Sequence, residues 1–371
     1  MRAFFPRLLV SVGVLLLIMT LSFWMTRSAP GGPFDQAHRL NSAVEANLWL
    51  TYGMADDAIG LQGGRVAEVL ASRGETLEEG RPILLLESGY TFEAPHDGRL
   101  IHVSFGVGDA VVEGATFAVI ERPLWKQYLA VMKGYIVFDF GPSFQYPDRK
   151  VESLIGETFP VSMELGFWSL FIALFFGVGG GIFAGMNAGG WKDRLAMLMS
   201  ALMVSCSTLI LGPLLLLLFG VHLGWFEWGG WSTLGSRVLP AMTLGLVFAA
   251  NIARMTRTGV VEAVEGHHVR TARAKGLAES RVILKHVLPG ALIPLLGYLG
   301  PALAGLLCGS VVVERIFNIP GVSEYFVSGA LNRDYPMVMG VVMLYSSLLI
   351  GFNLVLDVFH QWLDPRLKGQ A

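Results

Sequence analysis

The residues best suited to chemistry in this chain are few and poorly placed for it. His267 and His268 are adjacent, so on a helix their side chains point in different directions, and no cysteine lies nearby to complete a metal site. The glycine-rich run 177–181 lies in an apolar stretch, where it favours close helix packing or a kink. Cys206 and Cys308 also lie in apolar runs, which excludes a disulfide framework. We therefore predict no catalytic, cofactor-binding or metal site.

The chain also lacks a sequence that could hold ATP. A phosphate-binding loop of the form G-x-x-x-x-G-K-[ST] needs a Gly-Lys dipeptide, and none occurs in the 371 residues. Any energy from ATP must then come through another protein, and an enzyme activity is not expected.

The composition predicts an all-α membrane protein. Hydrophobic residues make up 53% and charged residues only 15% of the chain, whereas a soluble domain has roughly a quarter of its residues charged. The mean hydropathy is +0.56. This composition makes membrane lipid the expected surroundings. A formal net charge of −2 argues against a nucleic-acid partner.

Six apolar stretches predict six transmembrane helices, since about 20 apolar residues span a bilayer. They are 8–26, 165–191, 195–226, 238–253, 287–313 and 335–356. The fourth is short, and we expect the neutral residues 228–236 to complete it. The first has a longer apolar core than the 7–15 residues of a cleaved signal, so we expect it to be retained.

Lysine and arginine predict the orientation, because they collect on the cytoplasmic side. They are concentrated in the 192–194 connector, in the loop 254–290 and in the tail. Both termini are then cytoplasmic, and the acidic region 28–160 lies outside. The expected divisions are 1–27 (first transmembrane helix), 28–160 (extracytoplasmic), 161–363 (five-helix core with loop 254–290) and 364–371 (cytoplasmic tail).

An internal repeat within the extracytoplasmic region predicts a small all-β domain at about 55–121. Gly64–Glu87 aligns without gaps on Gly98–Glu121, and short β-branched runs alternate with glycine turns. The stretch resembles the biotinyl/lipoyl domain, or barrel-sandwich hybrid, inserted into the chain. That family's carrier forms hold their cofactor on a hairpin lysine. No lysine precedes Lys126, so we expect an unmodified domain used for spacing or docking.

The most specific motif lies in the loop 254–290. It consists of Arg270, Thr271, Ala272, Arg273, Ala274, Lys275 and Gly276, followed by Leu288 and Pro289. A short helix bearing Arg270, Arg273 and Lys275 could dock on a soluble partner, with a tight turn at the glycine. The alternative is a solvated basic loop that only satisfies the orientation rule.

The spacing of this motif resembles the loop of binding-protein-dependent ABC importer permeases. Their pattern is Glu-Ala-Ala, three residues, Gly, nine residues, Ile, one residue and Leu-Pro. Nine residues separate Gly276 from His286 here, and Arg-Thr-Ala replaces Glu-Ala-Ala, as in the peptide/nickel branch. Further motifs similar to the oligopeptide permease B subunit lie at 29–34, 123–129, 138–144, 159–162, 311–317, 320–321, 329–335 and 363–366.

The resemblance implies the type I permease fold of ABC importers and a role as permease subunit for oligopeptides, dipeptides or similar small solutes. Residues 270–276 with 288–289 would form the helix that couples ATPase closure to alternating access. The implied partners are a second permease subunit (a heterodimer), two ATP-binding subunits and an extracytoplasmic substrate-binding protein. The resemblance also implies a location in the cell inner membrane. It implies no cofactor for this chain, since ATP is bound by the partner subunits.

Two alternatives come from other classes of protein. A subunit of a biotin-dependent decarboxylase or sodium pump would need an attachment lysine, which the β region lacks. An efflux adaptor would have a long coiled hairpin and usually one anchor rather than six spans.

Overall fold

A computed structural model describes residues 4–28, 42–146, 148–307 and 311–363. The chain divides into two compact units. One comprises the described residues of Met1–Leu21, Ser153–Asn332 and Met337–Ala371, and the other those of Ser22–Glu152 and Arg333–Pro336. The motif at 29–34, Cys308 and the tail 364–371 lie outside the described residues.

Helices and strands occur in this order along the chain. The helices are α1 Phe4–Ser28, α2 Ser42–Thr51, α3 Leu124–Ile136, α4 Val151–Met186, α5 Trp191–Ser205, α6 Thr208–Leu215, α7 Leu234–Glu265, α8 His267–Ala274, α9 Glu279–Val282, α10 Leu288–Ala291, α11 Ile293–Leu307, α12 Val311–Ile316, α13 Val322–Leu331 and α14 Tyr335–Leu363. The strands, all between α2 and α3, are β1 Ala55–Ile59, β2 Gly64–Val69, β3 Thr76–Leu77, β4 Pro82–Leu86, β5 Thr91–Glu93, β6 Gly98–Val103, β7 Ala110–Val111 and β8 Thr116–Glu121. Short π-helical segments follow α6 and α9.

The eight strands form two four-stranded antiparallel sheets, in the orders β1-β8-β6-β3 and β5-β4-β2-β7. Alternate side chains on the facing sides are buried in one apolar core, which includes Leu77, Leu84, Leu100 and Ile120. The repeat is visible in the turns, because the equivalent glycines of the two copies share a left-handed backbone. These are Gly74 and Gly108 (φ +85° and +90°) and Gly80 and Gly114 (φ +82° and +85°). The strands thus lie at 55–121, and the barrel-sandwich assignment stays a prediction.

A polar cluster joins residues that are far apart in sequence within the unit of Ser22–Glu152 and Arg333–Pro336. The carboxylate of Asp334 accepts hydrogen bonds from Ser143 Oγ and from the backbone N–H of Gln145, the latter at 3.2 Å. Tyr52 donates its hydroxyl hydrogen to the carbonyl oxygen of Ser143 at 3.0 Å. Burial, with Asp334 and Asp148 nearby, raises the pKa of Tyr52 to about 12.

This pKa predicts a loss of stability at alkaline pH. The folded unit keeps the Tyr52 proton up to about pH 12, while the unfolded chain releases it near pH 10. Stability present below pH 10 is therefore lost as pH rises through that window. We expect the phenolate absorbance removed by Tyr52→Phe to titrate near pH 12 in the folded protein. If the absorbance step that the variant lacks is instead centred near pH 10 in the wild type, the raised pKa of Tyr52 is wrong.

The structure shows several long apolar helices but does not by itself confirm that the spans number six. Among the described residues, three helices are long and apolar enough to cross a membrane: Val151–Met186, Leu234–Glu265 and Tyr335–Leu356. The stretch Ile293–Ile316, of which the structure describes α11 and α12, is a fourth candidate. The helix pair Trp191–Ser205 and Thr208–His222 brings the number to five if the pair is one span, and Leu9–Met25 is a shorter apolar helix.

Two predicted spans need correction. The stretch 195–226 is not one straight helix, because the chain bends by 104° between α5 and the next helix. Ser207 starts that helix by accepting a hydrogen bond from the backbone N–H of Leu209. The fourth span takes only residues 234–236 of the expected completion 228–236, because α7 begins at Leu234, capped by Thr233. It is extended mainly at its other end, where α7 continues to Glu265. The first third of the predicted loop 254–290 is therefore helix.

Glycines on α4 allow that helix to pack directly on the backbone of α7. A Cβ at Gly177, Gly181 or Gly185 would lie 2.5–2.6 Å from a side-chain atom of Ile252, Thr256 or Val260 respectively. Such distances are shorter than any carbon–carbon contact, so only glycine fits. The predicted close packing of the 177–181 run is thus present at its first and last residues.

Candidate functional site

The motif residues 270–274 lie on α8, whose end follows from local chemistry. Gly276 adopts a left-handed backbone (φ +73°), which suits glycine because it has no Cβ. The N–H of Gly276 bonds to the carbonyl of Arg273 at 2.9 Å, and that of Leu277 to the carbonyl of Ala272 at 3.4 Å. These two bonds form a Schellman motif, which satisfies carbonyls at the helix end and turns the chain.

One face of α8 is buried and the other is exposed and basic. Val269 and Ala272 pack in an apolar cluster with Val260 of α7 and with residues of the following turns, namely Val282, Val287 and Ala291. Arg270, Thr271, Arg273 and Lys275 are exposed. The helix is therefore held on its apolar side and presents its basic side outward.

Arg273 is committed to a contact within the loop itself. Its guanidinium donates to both carboxylate oxygens of Glu279, from Nη2 at 2.6 Å and from Nε at 3.3 Å. The bond from Arg273 lowers the pKa of the Glu279 carboxyl below its usual value. The pair bridges the turn at Gly276, so Arg273 positions the loop, whereas Arg270 and Lys275 are the better candidates for contacting a partner.

The Leu-Pro part of the motif leads the chain back onto α7. Pro289 occupies the first turn of α10, where its missing N–H leaves no helix bond unmade. Two residues later, a Cβ on Gly259 of α7 would lie 2.5 Å from the carbonyl oxygen of Ala291. Backbone thus packs on backbone between the motif segment and α7, and α7 in turn packs on the glycines of α4.

The adjacent histidines make hydrogen bonds within the motif segment, His268 through its ring and His267 through its backbone carbonyl. His268 Nε2 lies 3.1 Å from the carbonyl oxygen of His286, which links the start of α8 to the π-helical segment. Thr271 Oγ1 donates to the carbonyl oxygen of His267 at 2.9 Å. Over the described part of the chain, no group of three His, Cys, Asp or Glu side chains could hold a metal ion.

Sequence analysis assigned no role to an ion pair that joins α5 and α7. Asp193, at the start of α5, accepts two hydrogen bonds from Arg257 of α7, at 2.6 and 2.7 Å. It also accepts the backbone N–H of Gly189 at 2.9 Å. The sequence feature that could have identified Asp193 is its position between Lys192 and Arg194 at the beginning of an apolar helix.

A second buried acid was also not identified from sequence. Glu314, only 2% exposed, accepts hydrogen bonds from Ser162 Oγ at 2.9 Å and from the backbone N–H of Ser323 at 3.1 Å. Ser162 Oγ also accepts the N–H of Val322 at 3.0 Å. Together they satisfy the first N–H groups of α13 and join α4, α12 and α13.

Long apolar helices that pack backbone to backbone, with a basic helix docked on one of them, define a multi-pass integral membrane protein. The family model described as "Binding-protein-dependent transport system inner membrane component" matches residues 177–369. The chain belongs to this family of ABC importer permeases, which confirms the resemblance inferred from the motif.

Relatives that match nearly the whole chain agree with this assignment. The oligopeptide transport system permease protein OppB of Haemophilus influenzae is 32% identical over 99% of both chains. That of Escherichia coli strain K12 is 32% identical over 98% of this chain and 97% of its own. The dipeptide permease protein DppB of Bacillus subtilis is 32% identical over 99% and 98%. All three are named as transport permeases rather than as enzymes, decarboxylase subunits or efflux adaptors.

A solved structure is also similar. A chain from the inward facing MetNI methionine ABC transporter superposes on 57% of this chain and 96% of its own, with a TM-score of 0.49 and 18% identity. The family assignment rests on the sequence matches and not on this superposition.

Proposed function

We propose that this chain is a permease subunit of a binding-protein-dependent ABC importer for oligopeptides, dipeptides or similar small solutes. The observation that carries the proposal is the match to peptide permeases over 97–99% of both chains. The protein crosses the inner membrane six times, counting α1 and the bent pair α5–α6, with both ends of the chain in the cytoplasm. It forms half of the translocation pathway with a second permease subunit, as a heterodimer.

Two ATP-binding subunits supply the energy, and an extracytoplasmic binding protein supplies the solute. The exposed basic face of α8, with Arg270 and Lys275, docks in a groove on an ATP-binding subunit. ATP binding favours one of two global conformations, and the pathway opens to one side of the membrane at a time.

The packing beneath α8 supports its role in coupling. A force on α8 reaches α7 through the cluster of Val269, Ala272 and Val260 and through the backbone contact of Gly259 with Ala291. Close-packed groups transmit a displacement because they leave no compressible layer between them. The glycine contacts of α4 then extend the path into a second apolar helix.

Reversing the charge of the docking face is expected to uncouple the transporter. In the assembled importer, Arg270→Glu with Lys275→Glu should lower ATP-dependent uptake of labelled trialanine by about tenfold or more, because a coupling free energy typically corresponds to a factor of 5–150. Basal ATP hydrolysis should persist, because no nucleotide-binding residue changes. Uptake into proteoliposomes and phosphate release measure the two activities.

Lys192→Glu is the control, because it repeats the lysine-to-glutamate change of position 275 at another exposed lysine, outside the motif. Arg273 is left unchanged, because its reversal would break the pair with Glu279 and disturb the loop. Normal coupled uptake by an assembled double variant would overturn the role of α8. Absence of ATP-driven peptide uptake by the assembled wild type would overturn the peptide assignment itself.

A further inference from the structure

The two sheets of residues 55–121, here called the β unit, have two distinct ends. The chain enters and leaves at one end, where the N–H of Arg122 bonds to the carbonyl of Met54 at 2.9 Å and its guanidinium pairs with Asp56. Three turns lie at the other end: residues 59–63, 87–91 and 111–115. The N–H of Gly60 bonds to the carbonyl of Ala115 at 2.9 Å, and the N–H of Gly114 to the carbonyl of Gly60 at 2.8 Å. We call these three turns the distal tip.

The distal tip carries exposed apolar side chains. Leu61 is 77% exposed, Val112 is 70% exposed, and Ile59 is 52% exposed. The Tyr90 ring, 38% exposed, lies 5.5 Å from that of Phe92, which in turn packs against Gly60. Grouped apolar side chains on an otherwise charged surface are typical of a contact surface.

The internal repeat shows that the fold does not require this apolar character. In the gapless alignment Val112 corresponds to Glu78 and Glu113 to Glu79, at the same glycine turn of the two copies. Gly80 and Gly114 give these turns the same left-handed backbone. One copy thus holds a glutamate where the other exposes a valine, so a charge at position 112 is compatible with the turn.

The charge of the β unit limits what could bind there. Residues 55–121 contain twelve acidic and four basic residues, a net charge of −8. Exposed Glu87 and Glu113 flank the apolar side chains of the distal tip. A second copy of this unit would meet like charge, and an anionic membrane surface would also be repelled. A protein surface with apolar residues surrounded by lysine and arginine is complementary.

We propose that the distal tip is a docking surface for the importer's own soluble substrate-binding protein, through an apolar contact ringed by basic residues of that partner. This proposal rests on the proposed function, which requires such a protein on the side of the membrane where solute is collected. Leu61 and Val112 provide the buried centre of the contact, and Tyr90 provides an aromatic group of the kind that concentrates binding energy. Glu87 and Glu113 steer the approach of the basic partner.

The test uses the full importer in nanodiscs and its purified substrate-binding protein. Val112→Glu should raise the dissociation constant of the binding protein about tenfold or more, since it places a charge at the centre of the contact. Val107→Glu is the matched control: the same change at a valine with 68% exposure, in the turn beside Val66 rather than at the distal tip. It should leave the dissociation constant within about twofold of wild type.

A second pair of variants tests the charge. Glu87→Lys with Glu113→Lys should slow association and weaken its dependence on ionic strength, because steering is an electrostatic rate effect. The proposal is overturned if Val112→Glu binds as wild type does, if both valine variants bind equally weakly, or if the tip variants alter only the number of importer copies per particle. Uptake by the wild-type importer in proteoliposomes separates these outcomes from a failure of the proposed function.

Discussion

Replacing Asp193 by alanine is expected to lower the free energy of unfolding of the unit that contains α5 and α7 by about 2–4 kcal/mol. Loss of one partner of a buried ion pair typically costs about 3–5 kcal/mol, because the other charge stays buried without compensation. Arg257 keeps 30% of its side chain exposed, so water compensates part of its charge and the expected cost is about 1 kcal/mol below that range. The Asp193 side chain is only 4% exposed, and its removal eliminates two hydrogen bonds from the guanidinium and one from a backbone N–H.

Thermal unfolding of the purified protein in detergent measures this effect. Asp193→Ala should lower the melting temperature clearly, and adding Arg257→Ala should lower it by less than the sum of the two single changes. Non-additivity of this kind identifies a direct interaction. Glu279→Ala is the comparison, since it removes an exposed partner of Arg273 and should leave the melting temperature nearly unchanged. Equal effects of Asp193→Ala and Glu279→Ala would contradict the buried pair.

Replacing Gly181 by leucine is expected to force α4 away from α7. A Cβ there would lie 2.5 Å from the Cβ of Thr256 and 2.7 Å from the carbonyl oxygen of Ala253. Overpacking typically costs about 1–3 kcal/mol and occasionally more. We expect the upper end here, because the obstructing atoms are backbone and Cβ rather than the end of a flexible side chain.

Gly179 offers a matched control two residues away on the same helix. Nothing lies within 4 Å of a Cβ at that position, so Gly179→Leu introduces the same side chain into open space. Size-exclusion chromatography of detergent-solubilised protein, followed by thermal melting, should show loss of folded Gly181→Leu protein and near-normal behaviour of Gly179→Leu. If the two variants behave alike, α4 and α7 do not pack along these glycines.

The motif segment shows how far local sequence predicts a candidate site. A short helix ending at Gly276 and a turn into Leu288-Pro289 were predictable, because capping and proline chemistry act over a few residues. Arg270, Arg273 and Lys275 were predicted together as docking residues. The structure separates them, because Arg273 donates to Glu279, and spacing alone does not tell a free basic side chain from a paired one.

The membrane spans show the same division. Apolar length identified the stretches that become helices. It did not show that a new helix begins after Ser207 within the third stretch, or that Thr233 starts the fourth within the residues expected to complete it. Hydropathy averages over a window, so it does not detect a single capping hydroxyl that ends one helix and starts another.

The sequence by itself determined the membrane class of this protein, its family, its repeat and the place of its basic motif, because hydropathy, glycine turns and motif spacing depend on neighbouring residues. Only the tertiary structure decided which glycines meet α7, that Asp193 pairs with Arg257, and that Val112 faces outward beside Leu61. Each of these depends on residues distant in sequence, 64 positions apart for the ion pair, which come together only when helices or strands pack.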